Sequence, residues 1–277
     1  MTPYHPTLKL NDRHDMPGFG FGVWRIDNRE TAQAVTAAID IGYRLIDTAA
    51  MYGNEAGVGE AVRGASVPRE ALFIATKLWN DSHGYDNALR AFDASMERLK
   101  LDRLDLFMIH WPVSNLDRYV ETWRALIRLR DEGRTASIGV CNFSAAQLQR
   151  LADETDVLPA VNQVELHPHL QQAALRAFHA QHGIATQAWA PLGKGRLLED
   201  KTLRGIAAKH GKSPAQVILR WHLENGIIAI PKSINPDRMR ENFHTPDVEL
   251  DAEDLSRIAA LDSLDGRAVP NPQTLPG

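Results

Sequence analysis

From about Gly42 to Ile230, short β-rich runs alternate with longer amphipathic stretches, and no Pro/Gly/Ser linker or low-complexity tract separates them. The short runs predict strands over Arg44–Asp47, Leu72–Lys77, Leu104–His110, Thr135–Val140, Ala160–Val164, Ile184–Ala188 and Ile227–Ile230, with Gly18–Gly22 as one more. Most are near-continuous apolar segments, as expected of parallel strands covered on both faces. The intervening apolar spacing predicts helices over Arg29–Ile41, Asp86–Leu99, Asp117–Glu132, Ser144–Glu154, Gln172–His182 and Ser213–Glu224. Ser144 with Gln147 three residues on, and Ser213 followed by Pro214, are N-terminal helix signals. Asn225-Gly226 is a matching stop.

A βα unit repeated about eight times predicts a (β/α)₈ TIM barrel, read as one domain over residues 1–277. An open dinucleotide-binding sheet fits less well, because Gly18-Phe19-Gly20-Phe21-Gly22 lacks the last glycine of G-x-G-x-x-G. Leu8–Leu10 and Met16–Pro17, around Asn11-Asp12-Arg13, predict a short hairpin before the barrel.

Barrel enzymes build their sites from the C-terminal strand ends, and three predicted strands here end in Asp47, Lys77 and His110. Tyr52 follows Asp47 on the next loop. An acid, an ammonium, a phenol and an imidazole suit general acid catalysis on a carbonyl. A tyrosine is a poor donor near neutrality, and Lys77 is expected to lower its pKa, with Asp47 holding Lys77 charged and His110 donating to the carbonyl oxygen. Taken singly, each has a structural reading: an ion pair, a loop anchor, a satisfied core histidine. Met51 and the stripe Ala125, Leu126 and Leu129 read as packing.

Charge and composition narrow the partners. With 31 basic against 35 acidic residues the net charge is −4, which provides no field for nucleic acid or anionic lipid. The single cysteine, Cys141, excludes an internal disulfide framework and multi-cysteine metal centres, and is compatible with a reducing compartment. No window reaches the roughly 18 apolar residues of a membrane span, and the first residues carry no secretory pattern. A soluble, cytoplasmic monomer acting on a small molecule is the expectation.

Five ordered blocks resemble the aldo-keto reductases. They are Gly42-Tyr43-Arg44-Leu45-Ile46-Asp47-Thr48-Ala49 with Tyr52-Gly53-Asn54-Glu55 and Val58-Gly59; Leu104-Asp105-Leu106-Phe107-Met108-Ile109-His110-Trp111-Pro112; Ile138-Gly139-Val140-Cys141-Asn142-Phe143; Asn162-Gln163-Val164-Glu165-Leu166-His167-Pro168; and Ile230-Pro231-Lys232-Ser233 with Arg238 and Glu241-Asn242. The resemblance spans roughly Leu8 to Arg267. Within the family, Lys77-Leu78-Trp79-Asn80-Asp81 and Trp189-Ala190-Pro191-Leu192-Gly193-Lys194-Gly195 are most similar to the bacterial 2,5-diketo-D-gluconate reductases.

The resemblance implies NADPH-dependent reduction of a small carbonyl substrate, a dicarbonyl or keto-sugar acid, with Tyr52 as proton donor, Lys77 and Asp47 tuning it and His110 placing the carbonyl. It assigns the nicotinamide to Asn142, Gln163 and Trp189, and the diphosphate to the loop carrying Pro191, Leu192, Gly193 and Gly195. The 2′-phosphate falls to Lys232, Ser233 and Arg238, the adenine to Glu241 and Asn242, and the substrate to Trp24, Trp79, Trp111 and His110. No metal is implied. The residues alone also permit blander roles: strand-end hydrogen bonds for Asn142 and Gln163, a core ring for Trp189, packing for Trp79, a plain turn at Gly193–Gly195 and solvated surface charge at Lys232 and Arg238.

Two departures matter. Cys141 stands where many members have serine, and a nucleophilic role is not indicated by its neighbours. The segment Trp111–Asp117 and the Pro-rich tail after Gly266 are short, which suggests an open, shallow pocket. Two other classes compete: a metal-dependent barrel hydrolase using His167-Pro168-His169, and a barrel that binds nucleotide without turnover.

Overall fold

A computed structural model describes residues 5–263 and 265–269. The start of the N-terminal stretch read for a leader (Met1–Tyr4), Leu264 and the Pro-rich tail from Pro270 onward lie outside these residues.

The predicted hairpin forms from β1 (Thr7–Lys9) and β2 (Asp15–Pro17), antiparallel with Leu8 opposite Met16. Eight parallel strands follow: β3 (Gly20–Gly22), β4 (Leu45–Asp47), β5 (Phe73–Leu78), β6 (Leu104–Ile109), β7 (Thr135–Cys141), β8 (Val161–Glu165), β9 (Ala185–Trp189) and β10 (Ile228–Ala229). They pair in chain order, and a parallel bridge from Phe19 to Ala229, with Gly22 N–H on Pro231 O at 3.2 Å, brings the two edges together. The expected TIM barrel is therefore present, its strands within a residue or two of the predicted bounds.

The outer ring includes α1 (Asn28–Ile41), α2 (Glu55–Arg63), α3 (Tyr85–Leu99), α4 (Tyr119–Asp131), α5 (Ala145–Thr155) and α6 (Ala173–Gln181). Ser144 and Gln147 form the expected capping box on α5. The chain then departs from strict alternation: α7 (Lys201–His210) and α8 (Pro214–Glu224) both lie between β9 and β10, and α9 (Pro236–Phe243) and α10 (Ala252–Ala259) follow the last strand. Ser213 and Gln216 box the start of α8, and Gly226 takes a left-handed φ of 65° after it. One close approach demands glycine: a Cβ on Gly59 of α2 would sit 1.9 Å from Leu99 O at the end of α3.

The interior of the ring is apolar at its lower end. Leu45, Phe73, Leu106, Val161 and Ile228, from the starts of their strands, cluster with Leu10 and Met16, so the hairpin closes the N-terminal end. Outward-facing residues such as Ile46, Ile74, Phe107, Ile109 and Val140 pack against the helices, including Ala125, Leu126 and Leu129 of α4, which form part of the core as expected. Met51 does not: it is 43% exposed, in the short Ala50–Tyr52 helix, none of whose residues is fully buried.

Candidate active site

The polar residues of the barrel gather at its C-terminal rim. Asp47 ends β4 and Lys77 is the penultimate residue of β5; both side chains are out of water, and Lys77 Nζ donates to Asp47 Oδ1 at 2.6 Å and to Thr48 O at 2.8 Å. Lys77 Nζ lies 5.2 Å from the centre of the Tyr52 ring. His110 follows β6 and is buried, its ring 5.6 Å from that of Tyr52, 5.0 Å from Trp79 and 6.4 Å from Trp111. The four expected catalytic residues and two of the three substrate tryptophans therefore share one end of one cylinder. Trp24 stands on the loop after β3, its ring 4.4 Å from the Arg25 guanidinium and 5.3 Å from Lys194 Nζ.

Electrostatics correct one expectation. Burial raises the Tyr52 phenol to about 12; Lys77 pulls it down, and Asp47 and Cys141 push it up. Sequence shows the cation beside the phenol but not how much water the surrounding fold removes, and desolvation outweighs the charge. Burial opposes the charge of Lys77 too, yet the Asp47 carboxylate lifts it above its ordinary value, so the ammonium persists. Burial, with Lys77 adding to it, holds His110 well below the usual imidazole range, and the ring is neutral. Burial also raises the Cys141 thiol, which stays protonated.

The loop bearing Tyr52 is pinned by residues the sequence reading quoted but left without a role. Asn54, directly before α2, has the position of a capping residue. Its side chain instead donates to Val23 O at 2.9 Å and Ile26 O at 3.1 Å, and accepts from Thr48 Oγ at 2.9 Å. Glu55, buried, accepts from Thr76 Oγ at 2.6 Å and from Arg98 Nε at 2.7 Å. Tyr52 is thereby held between β3, β4 and β5.

Asn142 takes a left-handed φ of 65° just after β7, a conformation asparagine tolerates. Its Nδ2 donates to His110 O at 3.0 Å and its Oδ1 accepts from Trp189 Nε1 at 2.9 Å. The indole of Trp189, half-buried at the end of β9, is fixed by its edge. Gln163 Nε2 donates to Asp47 Oδ2 at 2.8 Å and to Gln187 Oε1 at 2.9 Å, which spends both amide hydrogens and leaves its oxygen for anything bound above. Gln187 was not singled out from sequence; inside a strand it carries no motif.

Past β9, Gly193, Lys194 and Gly195 are consecutive left-handed residues, with φ of 57°, 56° and 89°. Pro191 O accepts from His222 Nε2 at 3.3 Å, and Leu192 packs against the core. Lys232 and Arg238 are exposed and, among the described residues, enter no ion pair. Ser233 lies between them, and Arg238 sits in the first turn of α9, whose N-cap Asn235 accepts from the Asp237 and Arg238 amides. Glu241 is exposed and Asn242 buried near the end of that helix. The paired histidines diverge: His167 Nε2 lies 3.3 Å from Glu165, and His169 Nε2 3.0 Å from Asp200. Among the described residues no group of three metal-ligating side chains gathers.

The eight-stranded parallel barrel thus carries a phenol, a buried ammonium and a neutral imidazole together at its mouth. Residues 17–263 match the aldo/keto reductase family model, and the chain belongs to that family; it is an aldo-keto reductase, an oxidoreductase of carbonyl compounds. It is 51% identical over 269 residues to an aldo-keto reductase of Mycolicibacterium smegmatis, covering 97% of this chain and 98% of that one. It is 50% identical over 261 residues to the methylglyoxal reductase DkgA of Escherichia coli K12, covering 93% and 94%. Among solved structures, a mutant of Gox0644 in complex with NADPH superposes with a TM-score of 0.95 at 47% identity, covering 99% of each chain.

Proposed function

We propose that this chain, as a single barrel domain and a cytoplasmic monomer, reduces small dicarbonyls or keto-sugar acids such as 2,5-diketo-D-gluconate with NADPH, Tyr52 giving the proton. The observation that carries the reading is the buried Asp47–Lys77 pair beside Tyr52, with neutral His110 next to the phenol. A relative named as a methylglyoxal reductase supports the dicarbonyl class, and a neighbour crystallised with NADPH supports the coenzyme.

The residues present fit that coenzyme. Asn142 has one amide hydrogen left beyond His110 O, and Gln163 has its oxygen, which together complement a carboxamide; Trp189 offers a half-exposed indole face. The left-handed run Gly193–Gly195, with Pro191 and Leu192 before it, suits close approach of a diphosphate. Lys232, Ser233 and Arg238 at the start of α9 suit a 2′-phosphate, with Glu241 and Asn242 left for the adenine. Bound NADPH supplies the hydride. Trp24, Trp79 and Trp111 enclose the carbonyl compound, and His110 donates to its oxygen while Tyr52 releases its proton to the same atom as negative charge develops there. Lys77 stabilises the phenolate that remains, and Asp47 keeps Lys77 charged.

The test is Tyr52→Phe. Methylglyoxal-dependent consumption of NADPH is expected to fall by about 10²–10⁴-fold, while quenching of tryptophan fluorescence by NADPH keeps its midpoint. Turnover at the parental rate would refute the donor assignment.

A further inference from the structure

The rim layer inside the barrel holds two uncharged amides besides the Asp47–Lys77 pair. Gln163 projects from β8 and Asp47 from β4, strands four places apart in an eight-membered ring, so the 2.8 Å hydrogen bond between them crosses the barrel. Gln187 is the register partner of Gln163 on β9 and is fully buried. Its oxygen accepts from Gln163 at 2.9 Å, and among the described residues its own Nε2 has no hydrogen-bond partner. A buried amide left half-satisfied destabilises a fold, and methionine or leucine would fill the same volume without that loss. Only the oxygen of Gln187 is used, and it is used on Gln163.

We propose that Gln187 is a positioning residue for the proton donor: by accepting from Gln163 it holds that amide with nitrogen, not oxygen, toward Asp47. The inference deepens the assignment of Tyr52 and rests on it. With acceptors on both sides of the Gln163 nitrogen, a flip of the amide sets oxygen against oxygen twice. Without Gln187 only one acceptor remains, and a side chain with three rotatable bonds regains freedom. Asp47 Oδ2 then loses its fixed donor, and its negative charge bears less compensated on Lys77 and on the phenol. The titratable groups around Tyr52 are Lys77, Asp47, Cys141 and His110; the thiol is protonated and the imidazole neutral, so the balance lies between Lys77 and Asp47. A less compensated Asp47 makes Tyr52 a weaker acid.

The experiment is a double-mutant cycle on the full chain, with methylglyoxal and NADPH as probes. Gln187→Met is expected to lower kcat about 3–30-fold and to move the alkaline limb of kcat to higher pH. The Tm is expected to change little, because the unpaired Gln187 donor goes while one buried Gln163 hydrogen loses its acceptor. In a Gln163→Leu background the same substitution should add little, since the side chain it acts through is missing. Additive effects, or a parental kcat and pH profile, would overturn the proposal. So would loss of folding in both Gln187→Met and Gln187→Leu, which would make Gln187 a packing residue. Tyr52→Phe is measured alongside: turnover there refutes the donor reading itself, whereas an inactive Tyr52→Phe with a parental Gln187→Met refutes only the role of Gln187.

Discussion

Lys77 Nζ and Asp47 Oδ1 lie 2.6 Å apart with side-chain exposures of 0% and 2%, so the ammonium beside Tyr52 depends on one carboxylate for its charge. Asp47→Asn removes that charge and keeps the shape. Leaving Lys77 buried without a counter-ion is expected to cost about 3–5 kcal/mol of stability, read as a lower urea midpoint with unchanged slope. The kcat should fall with it, since the lysine then yields its proton more readily and no longer stabilises a phenolate.

Asn54 makes three hydrogen bonds to β3, its following loop and Thr48, and none to the helix it precedes. Asn54→Ala leaves the Val23 and Ile26 carbonyls without that donor. A loss of about 2–4 kcal/mol in stability is expected, together with a drop in kcat larger than the change in NADPH affinity, because the loosened loop carries the donor and not the coenzyme contacts. Equal effects on both would argue against the pinning role.

Stability should depend on acid through His179. Its Nε2 lies 3.0 Å from the donor Asn162 Nδ2 and so must accept, and its Nδ1 lies 2.8 Å from Thr186 Oγ. Burial lowers it from 6.5 to about 4. The unfolded chain therefore binds this proton more tightly than the native one. The stabilisation is complete above 6.5 and is lost as the pH falls toward 4, by about 3 kcal/mol. In His179→Gln, urea unfolding across that range should show a shallower decline.

Coenzyme selectivity should respond to the cations at the start of α9. Arg238→Ala and Lys232→Ala are each expected to raise KM for NADPH about tenfold and to leave KM for NADH nearly unchanged, because only the phosphorylated ribose presents a dianion there. Parallel losses with both coenzymes would place these residues elsewhere on the ligand.

Much of this was legible before any coordinates. The runs Leu104–Ile109 and Ala160–Val164 read as parallel strands covered on both faces, and the polar residues closing such runs, taken together, pointed to a barrel mouth. Helices α7 and α10 were less so: they stand outside the βα alternation, and their packing on one another is tertiary. Asn54 was quoted without a role because the carbonyls it serves lie 28 and 31 residues away. Met51 reversed its expected burial because a short helix turned it outward.

The order of residue types along the chain determined the barrel, the family and the four groups at its mouth, since period and strand-end chemistry are local properties. Folding alone decided how those groups are tuned. The phenol is higher than its neighbouring cation suggests because the fold strips its water, and Asp47 is held by Gln163, 116 residues away, because closing the ring brings opposite strands face to face. Desolvation and cross-barrel distance are sums over the whole chain, and no window of sequence contains them.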